Sequence, residues 1–549
     1  MLDGASCTYT YDTRLMPPTG NVVAPNAQQT HPAFSPQVVV THSCTHRFLA
    51  SALGDDRWAS IAYHLARPPM ETCVRVNTLR MTREEAMERL RDELPGYQIE
   101  EGPLPMSVMV RGSRRDEPIV YDDEILKGRE MIVGMGAGQA MLKGAELYAP
   151  GVLACTKNLQ PGDRVAVSIG VPINPEKNLY GITRQATLPP YVPLDDERFP
   201  NRRELFIGTG EMLLGRREIT NPNGGQVMVM REKIYDLPSL PNEFMEGLVM
   251  NQAFPSLLAA CVLAPAPGST VLDMCAAPGG KTTAMAELMG NCGKIYAVDR
   301  TNKKVLKVQE FAEKMGIDIV VPVKGDATTL LNPDKTADAE ITVESVSKHV
   351  ETQSARSLQA VERKRLARIR HGHESVNPRA RAKVAVGGFA PESFDYILLD
   401  AACSALGIRP RFIIEDSLDE LLKSAMYSRK MLDQAAQLLK PGGTLVYSTC
   451  TISPLENEAN VRHVLDAYPE MKLVGAGPGL HHGGPGLTGV ATVTDGKKPF
   501  ELLKAEEAAL VQRFDPSDDN NGRSHMGFFI AKFVKEGRAT GEESDRRDR

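Results

Sequence analysis

Two thiols stand just beyond two short apolar runs. Tyr396-Ile397-Leu398-Leu399-Asp400 leads into Ala401-Ala402-Cys403-Ser404, and Thr444-Leu445-Val446-Tyr447-Ser448 leads into Thr449-Cys450-Thr451. Each run reads as a buried parallel strand, and in a doubly wound sheet ligands bind outside the carboxyl ends of the strands. Both sulfurs therefore face one crevice, beside the carboxylate of Asp400. A thiolate there is a carbon nucleophile, and the carboxylate can hold a polar substrate edge. A lone buried cysteine is usually an inert small hydrophobe. Two at the mouths of two strands argue against that reading. No close Cys/His pairing accompanies either thiol, so no metal site is expected. Residue chemistry alone does not decide which of the two attacks.

A second constellation is Asp273-Met274-Cys275-Ala276-Ala277-Pro278-Gly279-Gly280-Lys281-Thr282-Thr283. It follows the apolar run Val271-Leu272 and opens a helix through Ala284 to Met289. A strand, a glycine turn and a helix N-terminus form a nucleotide-sized cradle, because the backbone can approach the ligand closely. About 20 residues on, Asp299 closes the next run, Ile295 to Asp299, where a carboxylate accepts from ribose hydroxyls. Asp326 follows a third run, Ile319 to Val323, and is placed to accept from an adenine amino group. Cys275, Ala276, Ala277, Pro278, Gly279, Gly280, Lys281, Asp299, Arg300, Lys304, Asp326 and Asp400 are the candidate cofactor-binding residues. A phosphate-binding loop would need glycine where Cys275 stands, although Gly280-Lys281-Thr282 fits its end. A bare structural turn is the remaining alternative.

The elements that must position these groups come from a chain of 549 residues, long enough for roughly three to four domains. Hydrophobic residues make up 42% and charged residues 24%, an ordinary globular balance. Formal net charge is −5, from 64 basic and 69 acidic residues, so docking to nucleic acid would depend on local basic patches. No apolar stretch of about 18 residues is present, so no membrane span and no membrane partner is expected. No secretory leader is visible, and nine scattered cysteines read as reduced thiols, which makes a cytoplasmic location the expectation.

Residues 1–45 are polar and aperiodic and read as disordered. Residues 46–125 read as an α+β half-domain, with a strand at Cys73 to Thr78 and a charged helix opening behind Thr82. Residues 126–236 are glycine-rich with strands at Arg164 to Val167 and Leu205 to Gly208, and read as a small β module with a polar loop from Ile173 to Arg203. Residues 237–535 alternate strands and helices, an α/β doubly wound domain. Residues 327–390 interrupt it as a charged, disordered insert, basic from Arg363 to Arg370, and 536–549 form a charged disordered tail.

The motifs DMCAAPGGKTT, YAVDR, KGDAT, YILLDAACSALG, KPGGTLVYSTCTISPLENE and GFFIAKF resemble the Nsun (NOL/NOP/Sun) family of RNA cytosine-5 methyltransferases, from about Val74 to Phe533 without the insert. The block from Met131 to Val167 resembles a PUA domain, an RNA-binding β-barrel. A PUA module ahead of the core, with Gln512 to Ser517 (QRFDPS), is similar to the Nsun-six branch. The resemblance implies a Rossmann-like methyltransferase core and S-adenosylmethionine as cofactor. It implies a tRNA partner, bound near its single-stranded acceptor end. It assigns the attacking thiolate to Cys450 and release to Cys403. Asp400 would hold the cytosine edge, and Lys281 would sit near base and cofactor. In that branch the PUA domain interrupts an RNA-binding half-domain, so Arg75 to Asp92 would pack with the segment after Tyr235. A monomer is expected.

One departure from the family pattern concerns the Cys403 loop. The family reads Asp-Ala-Pro-Cys-Ser-Gly where this chain has Asp400-Ala401-Ala402-Cys403-Ser404-Ala405. Losing a proline loosens the loop, and Ala405 replaces a glycine suited to positive φ. The alternatives are an RNA-binding protein with impaired turnover and an enzyme acting on another RNA. For RNA contact the candidates are Tyr148, placed to stack on a base, Arg216 and Arg217 as a phosphate-binding pair, and Arg409 beyond the Cys403 loop. The insert around Arg363 to Arg370 is either a solvated linker or a source of phosphate affinity.

Overall fold

The structure is a computed structural model. It describes residues 29–30 and 38–537 apart from 116–118, 122–125, 173, 175–178, 191–197, 199–203, 221–223, 242–243, 336–342, 346–382, 386–387, 494–498 and 518–523. The basic run Arg363 to Arg370 lies outside the described residues, as does the chain beyond 537.

The largest sheet has the order Val343–Ser345, Lys383–Ala385, Val320–Lys324, Lys294–Asp299, Thr270–Asp273, Phe394–Asp400, Leu439–Thr449, Phe528–Lys535, Met471–Val474. From Lys383–Ala385 to Leu439–Thr449 all neighbours are parallel. Phe528–Lys535 runs antiparallel to both strands beside it. Thr270–Asp273 lies between Lys294–Asp299 on one side and Phe394–Asp400 on the other. The strand order reverses there, which opens a crevice at the carboxyl ends.

Side chains alternate across this sheet as the two-residue pleat requires. Val271, Leu398, Val446 and Ile530 pack with Leu257 and Leu258 of the helix Phe254–Leu263 and with Met285 of the helix Gly280–Leu288. Leu272, Ile397, Leu399, Leu445, Tyr447 and Phe529 pack on the opposite face with Met431, Leu432 and Ala435. Those three belong to the helix Leu418–Leu438, which starts in a capping box of Ser417 and Glu420. Covering both faces explains why the strands read as continuous apolar runs rather than alternating ones.

A second sheet has the order Ala186–Leu188, Val152–Thr156, Glu130–Val133, Arg164–Gly170, Glu204–Met212, Gln226–Lys233, Leu147–Tyr148. A third places Val249–Asn251, Glu71–Val76, Ser107–Arg111 and Gln98–Glu101 side by side. The pairing of Val249–Asn251 with Glu71–Val76 joins two chain segments that lie on either side of the second sheet in sequence. The helix Arg83–Glu93 covers this small sheet and begins at Thr82, whose side chain caps the Glu85 amide. Its Met87 and Leu90 share a core with Val74, Val76, Val108 and Val110.

Two boundaries differ from the sequence reading. Order begins before residue 45. Val39–Val40 pairs in parallel with Ile413–Ile414, and the helix Ser43–Leu53 follows. The apolar run Val38 to Val40 is short, so its partner more than 370 residues away supplies the reason for its order. Likewise, the ends of the 327–390 segment are packed rather than disordered. Ala327, Leu330, Phe389 and Ala390 are buried, and Lys383–Ala385 pairs with Val320–Lys324. In the 173–203 loop, Ala186–Leu188 joins the second sheet beside Val152–Thr156.

Candidate active site

The sheet's carboxyl edge brings the predicted groups together. Lys281 Nζ donates to Asp400 Oδ2 at 2.6 Å, and Ser448 Oγ donates to Asp400 Oδ1 at 2.7 Å. Lys281 comes from the first turn of the helix Gly280–Leu288, Asp400 from the end of one strand and Ser448 from the next. The Cys403 and Cys450 sulfurs lie 3.5 Å apart. Their loops are fastened to each other by the Gly407 amide, which donates to the Cys450 carbonyl at 2.9 Å.

The two thiols are electrostatically unequal. The hydrogen bond with Cys403 holds the Cys450 thiol below its ordinary pKa, while the same bond and burial push Cys403 well up. Of the two, Cys450 is therefore the sulfur disposed to ionise. Cys275, pushed up to about 12 mainly by burial, stays a thiol and touches Met431.

The glycine loop runs close under the sheet edge. Gly279 has φ of +113°, a conformation that glycine adopts at no steric cost. Beyond it Asp299 accepts from the Ala277 amide at 3.2 Å and the Arg300 amide at 2.7 Å, with Lys304 Nζ at 3.4 Å. Asp326 Oδ1 accepts from the amide and hydroxyl of Thr328, and the amide bond holds its carboxyl below the usual range. Asp273 accepts from Thr282 through Oδ2, while its buried Oδ1 has no hydrogen-bond partner. Burial pushes that carboxyl up to about 7.

This donor set suits S-adenosylmethionine better than a nucleoside triphosphate. Carboxylates at the ends of three adjacent strands accept from ribose hydroxyls and adenine amines but repel phosphate. Lys281, which a phosphate-binding loop would aim at the nucleotide, is engaged by Asp400.

The sequence matches the family described as 16S rRNA methyltransferase RsmB/F over residues 260–343 and 348–533, and the PUA domain over residues 129–169. It is 36% identical to the rRNA (cytosine-C(5))-methyltransferase NOP2C of Arabidopsis thaliana, covering 88% of this chain and 89% of that protein. It is 30% identical to the human tRNA (cytosine(72)-C(5))-methyltransferase NSUN6, covering 89% and 94%. The crystal structure of NSun6 from Pyrococcus horikoshii, solved with the S-adenosylmethionine analogue SFG, superposes with a TM-score of 0.61 at 26% identity. That match covers 90% of this chain and 98% of the archaeal one. The chain belongs to the Nsun family of RNA cytosine-C5 methyltransferases. It is an S-adenosylmethionine-dependent enzyme carrying an RNA-binding PUA domain.

In the Nsun enzyme the residues expected to touch RNA fall into different environments. Tyr148 is 53% exposed at the edge of the PUA sheet, so it is no core tyrosine. Arg217 is exposed, whereas Arg216 donates to the Gln185 carbonyl and to Thr187 Oγ1, tying two parts of the PUA domain together. Arg409 is a correction. It is buried, and its guanidinium donates to the carbonyls of Arg67, Pro68, Ser517 and His525. A side chain that closes four backbone acceptors inside the protein is not available to a phosphate.

Of the residues that shape the site, Ala405 is foreseen in the sequence, whereas Arg411, Gly407, Gly527 and Arg75 are not. Ala405 takes φ of +56°, so the position that bears glycine in the family does require left-handed backbone here. Arg411 donates to the Ala405 carbonyl at 2.8 Å. Gly407 and Gly527 meet backbone to backbone, where a Cβ on Gly407 would stand 2.1 Å from the Gly527 carbonyl oxygen. Arg75, fully buried, reaches from the half-domain to Thr283 Oγ1 at 2.7 Å, to the Gly280 carbonyl and to Glu287 at 3.4 Å, bracing the helix that carries Lys281.

Proposed function

We propose that this enzyme methylates a cytosine of tRNA at C5, in the acceptor-end region, through a covalent adduct between Cys450 and C6 of the base. The observation that carries the chemistry is the unequal thiol pair beside the Lys281–Asp400 ion pair. Cytosine C5 is a poor nucleophile by itself. Addition of the Cys450 thiolate to C6 moves electron density onto C5. S-adenosylmethionine, when bound, supplies the methyl group. Asp400, fixed by Lys281 and Ser448, holds the cytosine edge at N3 or the amino group, where charge develops on addition. Cys403 serves the release step. Water acting as base takes the C5 proton, the C5–H electron pair re-forms the C5–C6 double bond, and the bond from Cys450 to C6 breaks to return the thiolate. The Asp299 and Asp326 carboxylates and the Cys275–Gly280 loop would hold the cofactor.

tRNA is the reading supported by the PUA domain with its exposed Tyr148, and by similarity over nearly full length to enzymes named for tRNA cytosine 72. The test is methyl transfer from labelled S-adenosylmethionine to purified tRNA and, in parallel, to rRNA, with the modified base mapped. Label in tRNA acceptor stems supports the proposal. Label confined to rRNA sinks the substrate assignment and leaves the chemistry standing. Adduct without product from the wild-type protein would mean an enzyme impaired in release.

A further inference from the structure

We infer that Glu456 is the positioning residue of the Cys403 loop, setting that thiol for release by clamping its neighbour Ser404. The inference rests on the assignment of release to Cys403.

Glu456 is fully buried. Its Oε2 accepts from the Ser404 amide at 2.9 Å, and its Oε1 accepts from the Ser404 hydroxyl at 2.5 Å. The Thr451 hydroxyl lies 2.8 Å from Ser404 Oγ and 3.5 Å from Glu456 Oε1, closing a small ring of polar groups. Ser404 stands between Cys403 and the left-handed Ala405, and Thr451 follows Cys450 directly. The clamp therefore ties the segment bearing one thiol to the segment bearing the other.

Glu456 is itself rigidly held. Its carbonyl accepts from the Tyr447 hydroxyl at 2.5 Å and from Asn460 Nδ2 at 3.1 Å. The neighbouring Asn457 accepts from Thr449 at 2.6 Å and donates to the Thr451 carbonyl at 3.0 Å. One carboxylate accepting two bonds from one residue fixes both the position and the rotation of that residue. This matters most in a loop that has alanine at 402, where the restraint of proline is missing, and alanine at 405, held at positive φ without the freedom of glycine. The charge of Glu456 also bears on the Cys403 thiol and raises it, but its hydrogen bonds go to Ser404, so its hold on the position of Cys403 passes through Ser404.

The test compares Glu456→Gln, Ser404→Ala and Cys403→Ala in two assays. The first measures labelled product against denaturation-resistant RNA adduct on tRNA. The second measures the rate at which iodoacetamide labels Cys403 in the RNA-free protein. Thermal melting of each variant confirms folding, and Ser404→Ala keeps the test alive should Glu456→Gln fail to fold. Both clamp variants are expected to shift the adduct-to-product ratio toward that of Cys403→Ala, by roughly ten- to a hundredfold, the scale set by misplacing a reacting group by about 1 Å. They are also expected to change Cys403 labelling, and the double variant to be no worse than either single one. An unchanged ratio with unchanged labelling overturns the inference. So does an equal fall of adduct and product with a lowered melting temperature, which is the mark of a merely structural role. If Cys403→Ala itself gives no adduct, the release assignment falls, and the labelling assay alone then decides whether Glu456 positions Cys403.

Discussion

Cys403 and Cys450 sit with their sulfurs 3.5 Å apart, and their contact favours ionisation of Cys450 over Cys403. The hydrogen bond with Cys403 is the first cause of the lowered Cys450 pKa. Replacing Cys403 by Ala removes that donor and raises the Cys450 pKa, because the thiolate loses its hydrogen bond. Alkylation of Cys450 by iodoacetamide, followed against pH, is expected to reach half its plateau at a higher pH in Cys403→Ala than in wild type. An unchanged or lower midpoint would mean that the contact does not favour ionisation of Cys450 in this way.

Ala405 holds φ of +56° with its carbonyl bound by Arg411. An L residue in that conformation costs about 1 kcal/mol relative to glycine. Ala405→Gly is expected to raise stability by about that amount, less the entropy that glycine loses on folding, and to raise the urea midpoint without changing the slope. It is also expected to lower the steady-state fraction of RNA adduct by easing the Cys403 loop. A loss of stability would show that the loop can relax around alanine.

How much of this was legible in the sequence depended on range. The strands of the large sheet follow from unbroken apolar runs ended by Asp273, Asp299 and Asp400. The Thr82 cap follows from a local pattern that needs only Glu85 three residues on. Ala405 was legible because a glycine is missing from a known motif. Arg409 was misread for the opposite reason. Its position after the Cys403 loop suggested the crevice mouth, but its acceptors are Arg67, Pro68, Ser517 and His525, and no local pattern reports contacts that distant. Glu456 and Arg75 were missed likewise, since a carboxylate or guanidinium acquires its role from a partner 52 or 208 residues away.

Tyr148 and Arg217, both exposed, would separate two modes of RNA contact. An exposed tyrosine stacks on a base, and truncating such a contact to alanine costs about 1–3 kcal/mol of binding. Tyr148→Ala is expected to weaken tRNA binding in that range with little change in salt dependence. Arg217→Ala is expected to weaken binding less and to reduce the salt slope by about one counterion. Fluorescence anisotropy titrations at several salt concentrations measure both. If Tyr148→Ala binds tRNA as wild type does, the exposed edge of the PUA sheet is not an RNA contact.

Arg75 and Glu287 form a pair with both side chains fully buried, 3.4 Å apart, joining the half-domain to the helix that carries Lys281. Breaking a buried pair leaves an uncompensated charge and costs about 3–5 kcal/mol. Arg75→Ala is expected to lose that much by denaturant titration and, because the helix Gly280–Leu288 loses its brace, to weaken S-adenosylmethionine binding as well. Glu287 also makes stability depend on pH. Burial outweighs the attraction of Arg75 and pushes its carboxyl from 4.5 up to about 7. Between those values the folded chain binds the proton more tightly than the unfolded chain, so stability is fullest below about pH 4.5 as far as this group is concerned. It is then lost as pH rises toward 7, and this term is flat above that. Asp273 and Glu456, also pushed up to about 7, act in the same direction. Glu287→Gln removes one of the three groups and is expected to make the fall in stability between pH 5 and pH 7 shallower, as read from urea midpoints across that window. An identical slope in wild type and variant would place the Glu287 carboxyl near its ordinary value in the folded protein.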